Sequence, residues 1–411
     1  MKHIVKTAVL GAATLAMMAG SALARDLVIT FDDLNPAPKE SFEWVIEQFK
    51  AEYPDINVTT NINDREAHKT AIRNFLSADA PDVTSWYAGN RMAPFVEAGL
   101  FDDVSDVWEE NGFDETLAST MPSMTIDGKQ WGVPYTYYQW GVYYRKDIFE
   151  ELGLEEPQTW EELLEVSRTL SENDITPFTI GTQFLWTAAG VFDYLNLRQN
   201  GYDFHMDLTA GRVDWTDDRV RATFDRWNEL MDAGGFIENH ATMSWQDALA
   251  PFVQGEAGMY VMGNFAVAAM RDAGLTNDQI DFFQFPVIDP DIPNAEEAPT
   301  DTWHIPSNAQ NKEDARLFLA FVARPDIQTE WNKRLGQLPV NSEAEVGDDK
   351  FLQQGFEVLN DAAGIAQFFD RDAPAEMAKA GMEGFQEFMI NPDRLDRILE
   401  RLDRIQERVY E

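Results

Sequence analysis

The chain has 411 residues, a formal net charge of −40 at pH 7 and no cysteine. A charge of this sign and size opposes binding to nucleic acids and to anionic membranes, because both partners are also negative. The lack of cysteine excludes a disulfide framework and a lipid-modified cysteine anchor. A chain of this length is expected to bury about three quarters of its unfolded surface and to divide into two domains.

Residues 1–24 have the composition of a secretory signal. A basic start with Lys2 and Lys6 leads into an apolar run, and Ala22-Leu23-Ala24 forms a small-x-small cleavage site. The apolar run is too short to span a bilayer, and no later run in the sequence reaches its length. We therefore expect a soluble protein that is exported to the periplasm. Its mature chain is two units more negative, because the signal holds two lysines and no acid.

The chain that follows alternates between strand and helix patterns. Residues 27–31 and 56–59 are predicted strands, and 80–83 opens a third. The segments between the strands are predicted to be helices, the first with the apolar spacing of an amphipathic helix. This alternation predicts a parallel α/β sheet, in which ligands lie beyond the carboxyl ends of the strands. The residues that we expect there are Asp32, Asp33, Trp86, Tyr87 and Asn90. Asp32 and Asp33 fit a helix cap nearly as well.

An aromatic run at 131–144 is the most informative local feature. Half of its fourteen residues are aromatic, against 12% in the whole chain. This composition is typical of a strand. The rings either pack in a sheet or form a flat platform for a sugar ring or a cation.

The rest of the chain is predicted to be mostly helical. Thr159 and Glu162 form a capping box at the start of one helix. A connector rich in proline and acids spans 289–299. From Asp393 an amphipathic helix is predicted to pack onto the remainder of the protein rather than into a coiled coil.

The sequence lacks the signatures of common catalytic and metal sites. His68, His205, His240 and His304 lie far apart and form no metal-binding motif, so we expect no metal ion. The sequence also has no Gly-x-Ser-x-Gly elbow, no cysteine nucleophile and no phosphate-binding Gly-x-x-x-x-Gly-Lys-Ser/Thr loop. A carboxylate pair for glycoside hydrolysis stays open, because such pairs have no fixed spacing. These observations favour a binding protein over an enzyme.

Six short motifs follow one another along the chain. They are Ala-Pro-Asp-Val at 80–83, Asp-Gly-Lys-Gln-Trp-Gly-Val-Pro-Tyr at 127–135, Tyr-Tyr-Arg-Lys-Asp-Ile-Phe at 143–149, Pro-Gln-Thr-Trp-Glu-Glu-Leu at 157–163, Phe-Val-Gln-Gly-Glu-Ala-Gly-Met at 252–259 and a strand-to-helix unit at 305–315. In this order they resemble the extracellular solute-binding proteins of sugar-importing ABC transporters, the family that includes maltose-binding protein. The resemblance covers nearly the whole mature chain.

The resemblance implies a two-lobe, type II-like periplasmic-binding-protein fold of the α/β class. Each lobe is expected to be a mostly parallel sheet flanked by helices. The first lobe is expected at 25–135 with 301–340, and the second at 136–300 with 341–411. A hinge of about three crossings would join them and let them close on the ligand.

The resemblance also implies which positions touch a sugar. Aromatic faces would cover its C–H side, while acids, amides and arginines would bond to its hydroxyls. Each tryptophan has core packing as its alternative role. Together with Asp32 and Asp33, which the strand-end rule selects, the expected contacts are Trp86, Tyr87, Asn90, Arg91, Tyr138, Gln139, Trp140, Trp186, Gly263, Asn264, Phe265, Trp303, His304, Asp370 and Arg371. Phe265 stands where maltose-binding protein has a tryptophan, which argues against maltose.

We therefore expect a binding protein, not an enzyme, that captures a neutral mono- or short oligosaccharide and delivers it to the permease subunits of an ABC importer. It is expected to be a monomer, to need no cofactor, and to be neither membrane-embedded nor a partner of nucleic acid. Three alternatives stay open. One is an exported glycoside-active enzyme, and another is a binder of an anionic sugar held by Arg91 and Arg371. The third is a ferric-ion binder, although strand alternation separates the members of its tyrosine pairs, 137–138 and 143–144.

Overall fold

The computed structural model describes residues 25–410, so the predicted signal segment lies outside the described residues. The strands are β1 (Arg25–Phe31), β2 (Ile56–Ile62), β3 (Val83–Tyr87), β4 (Thr125–Ile126), β5 (Lys129–Gln130), β6 (Val133–Tyr137), β7 (Trp140–Arg145), β8 (Thr176–Thr179), β9 (Ala257–Gly263), β10 (Ile280–Phe283), β11 (Glu296–Glu297), β12 (Thr300–His304) and β13 (Ile365–Ala366).

The helices include several of only one or two turns. In chain order they are α1 (Pro36–Glu52), α2 (Arg65–Ala78), α3 (Ala93–Glu97), α4 (Ser105–Asn111), α5 (Phe113–Thr116), α6 (Met121–Met124), α7 (Lys146–Leu152), α8 (Trp160–Glu172), α9 (Trp186–Asn200), α10 (Tyr202–Thr209), α11 (Asp218–Asp232), α12 (Leu249–Gln254), α13 (Ala266–Asp272), α14 (Lys312–Val322), α15 (Pro325–Leu335), α16 (Lys350–Asn360), α17 (Phe369–Asp372), α18 (Ala375–Ile390) and α19 (Leu395–Val409). Single 3₁₀ turns occur at Gly89–Arg91, His240–Thr242 and Pro392–Arg394.

Two separate sheets confirm the predicted two-lobe α/β fold. The first has the order β2-β1-β3-β12-β6, and the second has the order β10-β7-β9-β8. Each sheet lies in its own apolar cluster, and the second cluster also buries the C-terminal helix α19, as predicted. The predicted capping box is present, because the Thr159 hydroxyl and the Glu162 carboxylate each cover a backbone N–H of the other residue at the start of α8.

The expectation of mostly parallel sheets was wrong, because both sheets are mixed. In the first, β1 is parallel to β2 and β3, whereas β12 is antiparallel to β3 and β6. In the second, only β8 and β9 are parallel. Parallel neighbours need a crossover helix between them. The chain enters β7 and β12 directly from the other lobe, so no such helix fixes their direction.

The chain passes between the two sheets where β6 leads to β7, where β11 leads to β12, and between α15 and α16. One apolar cluster takes its members from 27–135 and 303–340, and the other takes them from 138–285 and 351–402. These clusters divide the chain close to the lobe boundaries expected from the sequence, and on that basis we propose those boundaries for the two lobes. None of the helices in residues 25–410 combines the length and the apolar composition needed to cross a bilayer.

Candidate functional site

A cavity lies between the lobes and takes its lining from both. Its empty space is about 1020 Å³, part of which is open to solvent. The two sides of the cavity differ sharply in chemistry.

The second-lobe side is an aromatic wall, which we define as Tyr138, Trp140, Trp186, Trp245, Phe265 and Phe368. Phe265, just after β9, is its centre, with ring centroids 5.2 Å from Tyr138 and 5.4 Å from Trp245 in edge-to-face geometry. Trp186 opens α9 and stands edge-to-face with Trp140 at 6.0 Å. Trp140 is only 2% exposed, whereas Trp186, Trp245 and Phe265 are half-buried and present free ring surface.

The first-lobe side is a polar wall, which we define as Asp33, Arg65, Lys69 and Asp301. Asp33 follows β1, Arg65 and Lys69 lie in the first turns of α2, and Asp301 lies near the start of β12. These positions gather at the carboxyl ends of β1 and β2, where the strand-end rule places ligands. The aromatic ring of Tyr87 lies beneath them, with the Arg65 and Lys69 cations 5.9 and 5.7 Å from its centroid.

Each cation of the cavity is matched by a carboxylate. Arg65 donates to Asp33 at 2.7 Å, Arg371 donates to Asp301 at 2.9 Å, and Lys69 donates to Glu66 at 2.9 Å. Burial raises the pKa of Asp33 and of Asp301, against the lowering influence of these arginines. The wall therefore offers fixed donors and acceptors without an unpaired charge.

A short segment, 370–372, connects the lobes beside the cavity. Arg371 lies on α17 of the second lobe and donates to the Thr300 carbonyl at 2.6 Å and to the Tyr138 hydroxyl at 3.1 Å. The Asn90 amide of the first lobe donates to the Asp372 carbonyl at 2.8 Å. Gly89 comes so close that a β-carbon there would lie 2.7 Å from the Arg371 carbonyl oxygen. These contacts join the two lobes at one edge of the cleft.

About half of the residues expected near a ligand line the cavity. These are Asp33, Tyr87, Tyr138, Trp140, Trp186, Phe265, Asp370 and Arg371. From the aromatic run 131–144, Tyr135, Tyr138 and Trp140 line the cavity, whereas Tyr143 and Tyr144 pack in the second-lobe core.

Trp303 and His304 were expected at the ligand, but the structure places both in the first-lobe core. Trp303 lies one layer behind the cavity, with its ring 5.7 Å from Phe31 and 5.6 Å from Tyr135, which do line it. His304 stacks on Phe101 at 4.4 Å. Burial lowers the pKa of His304 to about 4, so its ring is neutral.

The other residues that were expected to touch the ligand do not line the cavity, and they pack behind or beside residues that do. Asp32 accepts from the Ser85 and Tyr87 hydroxyls at 2.6 and 3.2 Å. It thereby orients the Tyr87 ring, which lines the cavity. Trp86 is buried, and its indole N–H donates to the Arg91 carbonyl. The Arg91 Nε lies 3.7 Å from the Asp370 carboxylate. Asn90 donates across the lobes to the Asp372 carbonyl, as described above. Gln139, Gly263 and Asn264 are buried beside the pairing of β7 with β9, and the Asn264 N–H donates to the Gln139 carbonyl at 3.0 Å.

Sequence reasoning missed several residues of the lining, chiefly Arg65, Lys69, Trp245, Asp301 and Phe368. The carboxyl end of β2 pointed to Arg65 and Lys69 by the same rule that selected Asp33. Asp301 lies just after the crossing from β11 to β12, where the sequence analysis expected Trp303 and His304. Nothing in the local sequence distinguishes Trp245 from a core tryptophan.

Comparison with known proteins gives a consistent result. The model of the family described as bacterial extracellular solute-binding protein matches residues 35–329. An ABC transporter extracellular-binding protein of Pyrococcus horikoshii is 23% identical over 77% of this chain and 72% of its own length. A multiple sugar-binding protein of Streptococcus mutans is 28% identical over 59% of this chain and 58% of its own.

Among solved structures, the bacterial solute receptor AcbH superposes with a TM-score of 0.88 and 26% identity. The match covers 94% of this chain and 100% of AcbH, which is described as having an exclusive substrate preference for β-D-galactopyranose.

Proposed function

The chain belongs to the bacterial extracellular solute-binding protein family, and on that premise we propose that it captures a neutral mono- or short oligosaccharide and delivers it to an ABC importer. The observation that carries this proposal is the two-sided cavity. Half-buried rings on one lobe face ion-paired donors and acceptors on the other. A sugar has the matching chemistry, because its C–H face stacks on rings and its hydroxyls bond to charged groups.

The charge balance of the cavity favours a neutral sugar over an anionic one. An anionic ligand would have to compete with Asp33 and Asp301 for Arg65 and Arg371, and it would lie beside those carboxylates. Of the tyrosines considered for ferric ion, Tyr143 is fully buried and Tyr144 donates to Glu156 at 2.6 Å. That arrangement gives no support to an iron site built on the two tyrosine pairs.

The proposal includes a receptor role without catalysis, export by the segment 1–24, and a monomeric state. Purified protein should release no product from chromogenic glycosides. The mature protein, recovered from the periplasm of an expressing host, should begin at Arg25 by mass spectrometry. An intact N-terminus on exported protein would contradict cleavage, and a dimer in size-exclusion chromatography with light scattering would contradict the monomer.

Titration calorimetry with D-galactose, D-glucose, D-xylose, maltose and raffinose tests the sugar proposal. We expect at least one of them to bind with a dissociation constant in the micromolar range or below, which corresponds to about −8 kcal/mol or better. D-Galacturonate is the matched control for D-galactose, because it differs by one carboxylate, and it should bind more weakly. Tighter binding of galacturonate would select the anionic alternative. No binding across the neutral sugars would overturn the proposal.

A further inference from the structure

Trp186 and Trp245, the most accessible tryptophans of the aromatic wall, come from two segments that are distant in sequence. Both rings contact Phe265, with centroids at 6.2 and 5.4 Å. We define the paired segments as 181–187 and 239–245. The contacts that set the distance between the two paired segments therefore also set the shape of the ring surface on which a sugar would lie.

Three hydrogen bonds join the paired segments. The Thr182 N–H donates to the His240 carbonyl at 2.8 Å, and the Gln183 N–H donates to the Met243 carbonyl at 3.0 Å. The Thr182 hydroxyl also lies 2.8 Å from the His240 Nδ1. Thr182 is fully buried and His240 nearly so, and burial lowers the pKa of His240.

Gly181 brings the two backbones into contact. A β-carbon at this position would lie 2.0 Å from the carbonyl oxygen of Ser244 and 2.7 Å from that of Met243. Both atoms belong to backbone, so no side-chain rotation relieves the overlap. Any residue other than glycine must therefore push the segment that carries Trp245 away from the one that carries Trp186.

The turn that presents Trp186 is strained. Leu185 has φ 69° and ψ −43°, and the Trp186 N–H donates to the Phe184 carbonyl at 2.8 Å. A non-glycine residue in this region costs about 1–3 kcal/mol and persists only where its surroundings hold it. The Leu185 N–H donates to the Thr182 carbonyl at 2.9 Å, which ties the turn to the residue bonded to His240. The turn starts α9, and Trp186 lines the cavity.

We propose that Gly181 and Thr182 are positioning residues that set the spacing of Trp186 and Trp245 and so select the ligand, without contact with it. The specificity part of this inference rests on the proposed sugar-binding function. A preorganised aromatic surface avoids the entropic cost of ordering rings on binding. A change in backbone spacing should therefore reduce affinity even though both tryptophans remain.

The test uses full-length mature protein labelled with 5-fluorotryptophan and observed by ¹⁹F NMR, with the two resonances assigned from W186F and W245F variants. In Gly181→Ala both resonances should move before any ligand is added, and D-galactose affinity should fall about tenfold or more. Gly347→Ala is the control, because its new β-carbon meets only side-chain atoms, at 3.2 Å or more. It should change neither readout.

Thr182→Val and Thr182→Ser form a second pair in case Gly181→Ala does not fold. Valine removes the bond of the hydroxyl to His240 and the bond that the hydroxyl accepts from the Gln386 amide, at nearly constant volume. It should shift the resonances and weaken binding by about threefold to tenfold. Serine keeps the hydroxyl, so the resonance positions and the sugar affinity of Thr182→Ser should both match those of the wild type. Unmoved resonances in Gly181→Ala and Thr182→Val would overturn the positioning role, and moved resonances with unchanged affinity would overturn the selection of ligand. If wild type binds no sugar, the proposed function fails while the resonances still decide the positioning role.

Discussion

At the scale of single residues, exposure separates tryptophans that the sequence treats alike. Trp140 and Trp186 both line the cavity and stand edge-to-face. Trp140 is 2% exposed and fits so closely over Gly190 that a β-carbon there would lie 2.6 Å from its ring. Trp186 is half-buried at the end of a turn. The first is therefore mainly part of the core, and the second is mainly part of the binding surface.

Trp186→Ala should weaken binding of the best-bound sugar at least about tenfold, or ~1.4 kcal/mol, with little loss of stability. Trp140→Ala should instead lower the free energy of unfolding by about 3–5 kcal/mol, because it opens a cavity in the second-lobe core. Calorimetric titration and urea unfolding of both variants measure the two effects. A stable Trp140→Ala protein that has lost only its affinity would show that this ring acts mainly on the ligand.

At the scale of elements, the second crossing between the lobes begins beside a buried acidic pair. Glu297 of β11 and Asp193 of α9 are both fully buried. Burial raises the pKa of Asp193 to about 8 and raises that of Glu297 well above its usual range. Around them lie the neutral ring of His205, 3.9 Å from Asp193, and three more acids, Glu296, Asp370 and Asp372. Asp193 also accepts from the Phe369 N–H at 2.8 Å, which ties the pair to α17.

This pair should make the protein less stable as the pH rises from about 4 to about 8. Below that range the pair is protonated in both states. Within it the unfolded chain releases protons that the folded chain retains, so rising pH favours unfolding, and the loss is complete above the folded pKa. Glu297→Gln should flatten this fall, because it removes one of the two buried acids whose folded-state pKa is raised. Urea unfolding from pH 4.5 to 8.5 measures it, with the exposed Glu172→Gln as control. An equally steep fall in Glu297→Gln would contradict the assignment.

At the scale of the whole molecule, the net charge works against the compact state. The chain has 72 acids and 32 lysines and arginines, and its acids are spread over residues 26–411. Most surface ion pairs contribute little to stability, so they do not offset the repulsion of the excess acids. The cleft is different, because its cations are each held by a carboxylate. Salt should therefore act on overall stability more than on the binding of a neutral ligand.

The midpoint of thermal unfolding should rise by several degrees between low salt and about 1 M NaCl, where the screening length is only about 3 Å. The affinity for a neutral sugar should change by less than about threefold over the same range. Scanning calorimetry and titration at each salt concentration test both statements, and sucrose of equal osmolality controls for solute exclusion. A midpoint that stays flat or falls with NaCl would contradict a role for charge repulsion.

The sequence by itself determined the fold class, the order of the family motifs and part of the cleft. Strand ends are local signals, and they led to Asp33 and Tyr87, whereas the family resemblance led to Tyr138 and Trp140; all four line the cavity. Only the tertiary structure decided which side chains face the cavity. Residue type made Trp303 a candidate for ligand binding, but its ring lies behind Phe31 and Tyr135. Trp245 lines the cavity, and its segment packs against Gly181. Layer depth and backbone packing are long-range properties, so no local pattern contains them.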